Sequence, residues 1–152
     1  MIAKFEKSSI FKKIIDALKD ICKETNANIN VDGMTIKAMD SSHVSLFHLQ
    51  LKEAFSEFCI EEDVAIAFNL DHLSRIMKVC DNDAQLELSL QRDGTKLHIE
   101  SKTNDRLTKF DMHLLDLEME SMEVPEMNYP ISITMQSSEY TRLCRDMSQF
   151  SD

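Results

Sequence analysis

Glycine is nearly absent, the 152-residue chain having only Gly33 and Gly94. Neither has a second glycine nearby, which excludes the glycine-rich loops that bring backbone amides onto a phosphate. No run of about 18 apolar residues is present to cross a membrane as a helix, and no basic start leads into an apolar segment and a small-residue cleavage site. A soluble, intracellular chain with no membrane partner is expected. The four cysteines, Cys22, Cys59, Cys80 and Cys144, lie far apart. Without a close pair they lack the spacing of a zinc site or a redox motif, and they are expected to be reduced, mostly buried small hydrophobes. Basic charge is also scarce, 17 Lys and Arg against 27 Asp and Glu, for a formal charge of −10. That balance ordinarily argues against nucleic acid, whose backbone is bound by cations. The question becomes where the basic residues sit.

What the chain does have is 43% apolar residues, enough for a sizeable core in one ordinary domain. Both glycines follow an aspartate, and Asp-Gly suits the dihedrals of a tight hairpin turn. Strands are expected on each side of both turns, at 28–31 and 34–39 around the first and at 85–91 and 95–99 around the second, with Leu86, Leu88 and Leu90 alternating. Further strands fit 44–51, 55–61 and 106–115.

The two turns are 61 residues apart, and the segments before them match. A helix from Ser8 or Ser9, either able to cap it, to about Glu24 carries Phe11, Ile14, Ile15 and Leu18 on one face. A second, capped by Asn69 or Asp71 and ending near Cys80, repeats that face as Leu73, Ile76, Met77 and Cys80, each 62 positions on. A third, opening at Ser137 or Ser138, repeats it as Tyr140, Leu143, Cys144 and Met147, another 67 positions on. Short apolar strands at 2–5, 65–69 and 131–135 precede the three helices. The expected fold is α+β, an internally repeated unit of strand, helix and antiparallel strands with the helices on one face of the sheet. Residues 1–115 would form one domain, 116–128 an extended connector with five acids and no basic residue, and 129–152 the first strand and helix of a further, incomplete domain.

The repeat also organises the cations. Lys13 of the first helix, Arg75 of the second and Arg142 of the third are equivalent, as are Lys78 and Arg145. Lys12, Lys19 and Lys23 form a second stripe beside the first apolar face. Helices packed side by side on a common sheet would merge these positions into one basic surface on an otherwise acidic molecule. Phosphate contacts carry no sequence information, so such a surface suits nonspecific, salt-sensitive association with duplex DNA.

Several segments are recognisable. Met39-Asp-Ser-Ser-His-Val-Ser-Leu46, Ala17-Leu-Lys-Asp-Ile21, Leu114-Leu-Asp-Leu-Glu118 and Cys144-Arg-Asp-Met-Ser148 resemble, in the same order, segments of the proliferating cell nuclear antigen family of DNA sliding clamps. The resemblance implies the DNA clamp fold, a homotrimeric ring with helices lining its hole, and no cofactor. It further implies replication in the nucleus, or at a viral replication site. By position, Lys12, Lys13, Lys19, Arg75, Lys78, Arg142 and Arg145 would face DNA, with Lys23 on the same helix. Met39, His43, Val44 and Leu46, with Met122, Val124 and Pro125 of the connector, would form a hydrophobic pocket. Its ligands would be DNA polymerase and repair proteins carrying a peptide with a glutamine, an aliphatic residue and two aromatics. Glu123 stands where the family usually has glycine. Lys109, Phe110, Met112 and Leu114 would lie at a subunit interface, and a separate clamp loader would open the ring. The segment order leads to the expectation that the chain is part of a longer clamp subunit. The competing readings are a diverged, checkpoint-type clamp paralogue and a DNA-free peptide-binding module.

No catalytic or metal-binding residues are assigned. Asp40, Ser42 and His43 are the right types for acyl transfer, but neighbours on an extended segment alternate faces and do not converge. His48, His98 and His113 fall on expected strands without ligand spacing and read as structural.

Overall fold

The computed structural model describes residues 1–91, 94–116 and 128–150. Its order is β1 (Ile2–Phe5), α1 (Ser8–Lys19), β2 (Glu24–Asn30), β3 (Gly33–Met39), β4 (Leu46–Leu51), β5 (Glu57–Cys59), β6 (Val64–Asn69), α2 (Leu70–Val79), β7 (Gln85–Leu90), β8 (Lys96–Lys102), β9 (Leu107–His113) and α3 (Ser137–Met147). The α+β expectation holds, with the strands divided between two sheets rather than forming one. A five-stranded sheet runs β5-β1-β7-β8-β9 and a four-stranded sheet β4-β3-β2-β6.

The repeat is visible in this topology as an exchange. The strand that opens the first unit, β1, pairs with β7 of the second, Ala3 facing Leu88 and Phe5 facing Leu86. The strand that opens the second, β6, pairs with β2 of the first. The helix ends follow the same reciprocity. The amide of Ser8 donates to the carbonyl of Ala84 at 2.8 Å, and that of Leu70, its counterpart, donates to Lys23 at 2.8 Å. Each helix thus begins against the segment that follows the other.

The first helix has no side-chain cap. Ser8 is fully buried, and its hydroxyl donates to the Asp81 carbonyl at 2.5 Å instead of accepting from its own helix. The Ser9 amide donates to Asn82 at 3.1 Å, so carbonyls of the 81–84 segment satisfy amides that a cap would have taken. In α2 the expected cap is present, Asn69 Oδ1 accepting from the His72 amide at 3.0 Å. In α3 the preceding Gln136 makes no side-chain cap bond.

Phe11, Ile15 and Leu18 of α1 and Leu70, Leu73 and Met77 of α2 enter one core with Ala3, Phe5, Ile29, Ile36, Phe68, Leu86, Leu88 and Ile99 from both sheets. Phe5 joins α1 to the segment before β5 through rings, 5.2 Å from Phe11 and 5.0 Å from Phe55. Gly33 opens β3 at φ +129, and a Cβ there would collide with the Leu51 carbonyl oxygen. Glycine is required by both the dihedral and the space.

Several expectations are corrected. The first helix stops at Lys19, because Glu24 already pairs with Asn69 and the intervening turn folds back on Leu18. Residues 131–135 form no strand, and Ile131 and Ile133 are exposed. Their counterparts β1 and β6 each have ladder partners, which this segment lacks among the described residues. All four cysteines are free, but only Cys80 is buried and Cys22 half-buried; Cys59 and Cys144 are exposed. Glu57–Cys59 is an edge strand and α3 buries none of its residues, so neither thiol has a core to enter.

Candidate functional site

The helices α1 and α2 lie antiparallel. Lys12, near the start of α1, reaches Asn82 just beyond α2 at 3.2 Å, while Lys19 at its end lies in the field of Asp71 at the start of α2. Between them Asp16 accepts from Lys19 Nζ at 2.7 Å and from the Ser74 hydroxyl at 3.2 Å. The Lys19 hydrogen bond, helped by Ser74 and the charge of Lys78, holds the Asp16 carboxyl below its ordinary pKa against the opposing effect of burial. Asp16 in turn raises the pKa of Lys19.

On this pair Lys13, Arg75 and Lys78 are exposed, and Lys12 and Lys19 half-buried. Five of the expected DNA-facing residues therefore share one helix pair, with Lys19 already occupied by a carboxylate. Arg142 and Arg145 lie three apart on α3 and are exposed, but α3 is not packed into this core. Lys23 is beyond the end of α1, in the segment whose carbonyl receives Leu70, not on the helix as expected.

The second region joins β3 to β4. The register ends at Met39 opposite Leu46, leaving residues 40–45 as an excursion that is exposed from Ser41 onward. Val44 is 84% exposed, Leu46 37%, and His43 takes φ 57 with Nδ1 3.2 Å from Met39 Sδ. Asp40 Oδ1 accepts from the amides of Val44 at 2.9 Å and Ser45 at 2.6 Å; Oδ2 accepts from the Ser42 amide at 3.2 Å and from its hydroxyl. The Ser42 hydroxyl and Ser45 amide lead in lowering the Asp40 pKa to about 2. The segment is a loop rather than the extended strand expected from Val44 onward, so Asp40 and Ser42 do meet. His43, however, addresses Met39 and not Ser42, and no nucleophile–base relay forms. Met122, Val124 and Pro125, the expected opposite wall, and Glu123 lie outside the described residues.

The third region is β9, the edge of the five-stranded sheet. Lys109 bonds Glu100 at 2.5 Å, Phe110 is half-buried, and Leu114 continues the strand through its amide to Thr95. Met112 is 6% exposed and belongs to the core. Its side chain is thus taken up by the core, leaving the strand backbone as its part of the expected interface.

Of the three expected structural histidines, His98 pairs with Asp111 across β8 and β9, His113 ends β9, and His48 lies on the other sheet.

Residues 1–123 match the family model described as the proliferating cell nuclear antigen N-terminal domain. The chain belongs to this family. The proliferating cell nuclear antigen of Chaetomium thermophilum is 35% identical over 153 aligned residues, which cover 99% of this chain and 59% of that relative. A crystal structure of the antigen from Entamoeba histolytica superposes with a TM-score of 0.91 at 34% identity, over 99% of this chain and 62% of that one. The chain thus spans about three-fifths of the length of the relatives it matches. The proliferating cell nuclear antigen family is one of non-enzymatic clamp proteins. No helix among the described residues is long and apolar enough to cross a membrane.

Within the clamp chain, the sequence left the roles of two residues near the expected sites unassigned. Lys19 lies three residues from Asp16 on the same helix, a spacing the sequence shows, but the Ser74 contact that fixes Asp16 comes from α2 and leaves no signal along the chain. Asp40 carried a signal, since Asp followed by Ser-Ser is the composition of a side-chain-to-backbone turn.

Proposed function

We propose that the chain is part of a sliding-clamp subunit that surrounds duplex DNA without reading its sequence and tethers DNA polymerase and repair proteins. The observation that carries this reading is the antiparallel α1–α2 pair, which gathers Lys13, Arg75 and Lys78 on the exposed side of a molecule whose formal charge is −10. In this reading residues 1–115 are the first clamp domain, 116–128 the interdomain connector and 129–152 the opening of the second. The ring is homotrimeric, β9 is the edge that meets a neighbouring subunit, and a clamp loader opens it. It acts in nuclear replication and repair.

The exposed Val44 and Leu46 rim is the site for partner peptides containing a glutamine, an aliphatic residue and two aromatics. An apolar plug of this kind loses affinity when an unpaired charge is placed in its seat. The two surfaces are tested by double dissociation. Arg75→Glu with Lys78→Glu should weaken duplex association and spare peptide binding; Val44→Glu should do the reverse. Loss of both activities in a folded variant, or of neither, overturns the assignment.

A further inference from the structure

Among the described residues, nothing in the core holds the loop that carries Val44. Residues 41–46 are all exposed, and the loop spans six residues, 40–45, between the last ladder pair and the next. It also contains a left-handed histidine, His43 at φ 57, a conformation that persists in a non-glycine residue only where the surroundings impose it. The imposing group is one carboxylate. Asp40 collects the amides of Ser42, Val44 and Ser45 and the Ser42 hydroxyl, while its own amide donates to the Ser45 carbonyl at 3.1 Å and its carbonyl accepts from His43 at 2.9 Å.

We propose that Asp40 is a positioning residue for the partner-binding surface: without touching the partner, it fixes the loop path that presents Met39, His43 and Val44. The inference rests on the reading of that rim as the peptide site. The carboxylate removes the loop's alternatives before the peptide arrives, so the ordering cost is not charged to binding. Because the donors keep it ionised down to about pH 2, the arrangement persists across the physiological range. Without it, the amides of Ser42, Val44 and Ser45 turn to water and the loop samples other paths. Apparent affinity then falls with the fraction of molecules still in the presenting conformation.

The test is binding kinetics of a glutamine–aliphatic–diaromatic peptide with Asp40→Ala, Asp40→Asn, Ser42→Ala and Val44→Ala, alongside amide spectra of each variant. If about a tenth of Asp40→Ala molecules hold the presenting loop, the on-rate drops about tenfold with the off-rate near wild type. Asp40→Asn keeps one oxygen for Val44 and Ser45 and falls between, and Ser42→Ala loses least. The Ser42, Val44 and Ser45 amides lose exchange protection in step, with the melting temperature unchanged. Val44→Ala, which removes a contact rather than a conformation, raises the off-rate instead. An Asp40→Ala on-rate equal to wild type, or amides that do not move, overturns the role given to Asp40 and leaves the rim standing. A wild-type chain that binds no peptide, or a Val44→Ala variant that binds as wild type, overturns the rim and the inference together. Should Asp40→Ala fail to fold, Asp40→Asn and Ser42→Ala carry the same comparison.

Discussion

Removing the two best-placed cations of α2 should change how duplex association responds to salt by a calculable amount. Arg75 and Lys78 are exposed, lie three apart on one face, and have no ion-pair partner among the described residues. Each phosphate they engage contributes about 0.9 to the slope of log K against log salt, so Arg75→Gln with Lys78→Gln should flatten that slope by about 1.8. At about 0.1 M salt the same counterion term corresponds to a loss of about 60-fold in affinity. Glutamine is close to arginine and lysine in helix propensity, and exposed substitutions of this kind shift stability by about 0.5 kcal/mol or less. The assay is fluorescence anisotropy of a labelled duplex titrated at several salt concentrations, with melting temperature as the folding control. A slope that stays at the wild-type value in a folded double variant would refute the placement of this helix pair against DNA.

Asp16→Asn should act in the opposite direction, releasing Lys19 and steepening the same slope by about 0.9. The substitution also has a pH signature. The Asp16 pKa is depressed in the folded state, so its stabilising contribution is present above the ordinary carboxylate range and lost as pH falls below about 4. Urea unfolding of wild type and Asp16→Asn should therefore differ at pH 7 and draw together as pH falls below about 4; a constant difference contradicts the ion pair. Gly33→Ala meets both the Leu51 carbonyl and a left-handed dihedral, and should cost about 1–3 kcal/mol or more by denaturant titration. Ser8→Ala removes one of two donors to the Asp81 carbonyl, the Ala84 amide remaining at 3.0 Å, and should cost about 0.5–1.5 kcal/mol; a neutral result would mean the 81–84 segment holds α1 by its backbone bonds alone.

Where a strand or helix announced itself by strong apolar periodicity, the sequence was readable. The α2 face and the β7 alternation are found as expected, down to Asn69 at the cap. Where tertiary pairing decides, it was not. Glu24–Asn30 buries Thr25, Ala27 and Ile29 and turns Glu24, Asn28 and Asn30 outward, a correct alternation written in weak hydrophobes. The helical pattern running into it from α1 masked that alternation. Ser8 had the chemistry of a cap, yet its burial against the 81–84 segment depends on contacts 73 residues away. The cations of α1 and α2 were found by repetition alone; the partner that quiets Lys19 lies three residues earlier on the same helix, but its anchoring by Ser74 of α2 has no signature along the chain. In the pocket loop, residue identities were legible and the loop path was not. A short polar run between strands can continue β4 or form a turn, and Asp40 selects the turn.

The exchange of opening strands has a consequence for synthesis. The segment that leaves the ribosome first, β1, meets β5 about 55 residues later, but its neighbour on the other side, β7, is made only about 80 residues later. At a translation rate of about 5–20 residues per second, Ala3 and Phe5 wait about 4–16 s for that neighbour to be made. During that interval α1 has an apolar face and no seat for it. The first repeat cannot complete itself and hand a finished scaffold to the second; the two halves must mature together. A ribosome that pauses between Asn69 and Gln85 would hold a nascent chain with one sheet able to form and the other still lacking its middle.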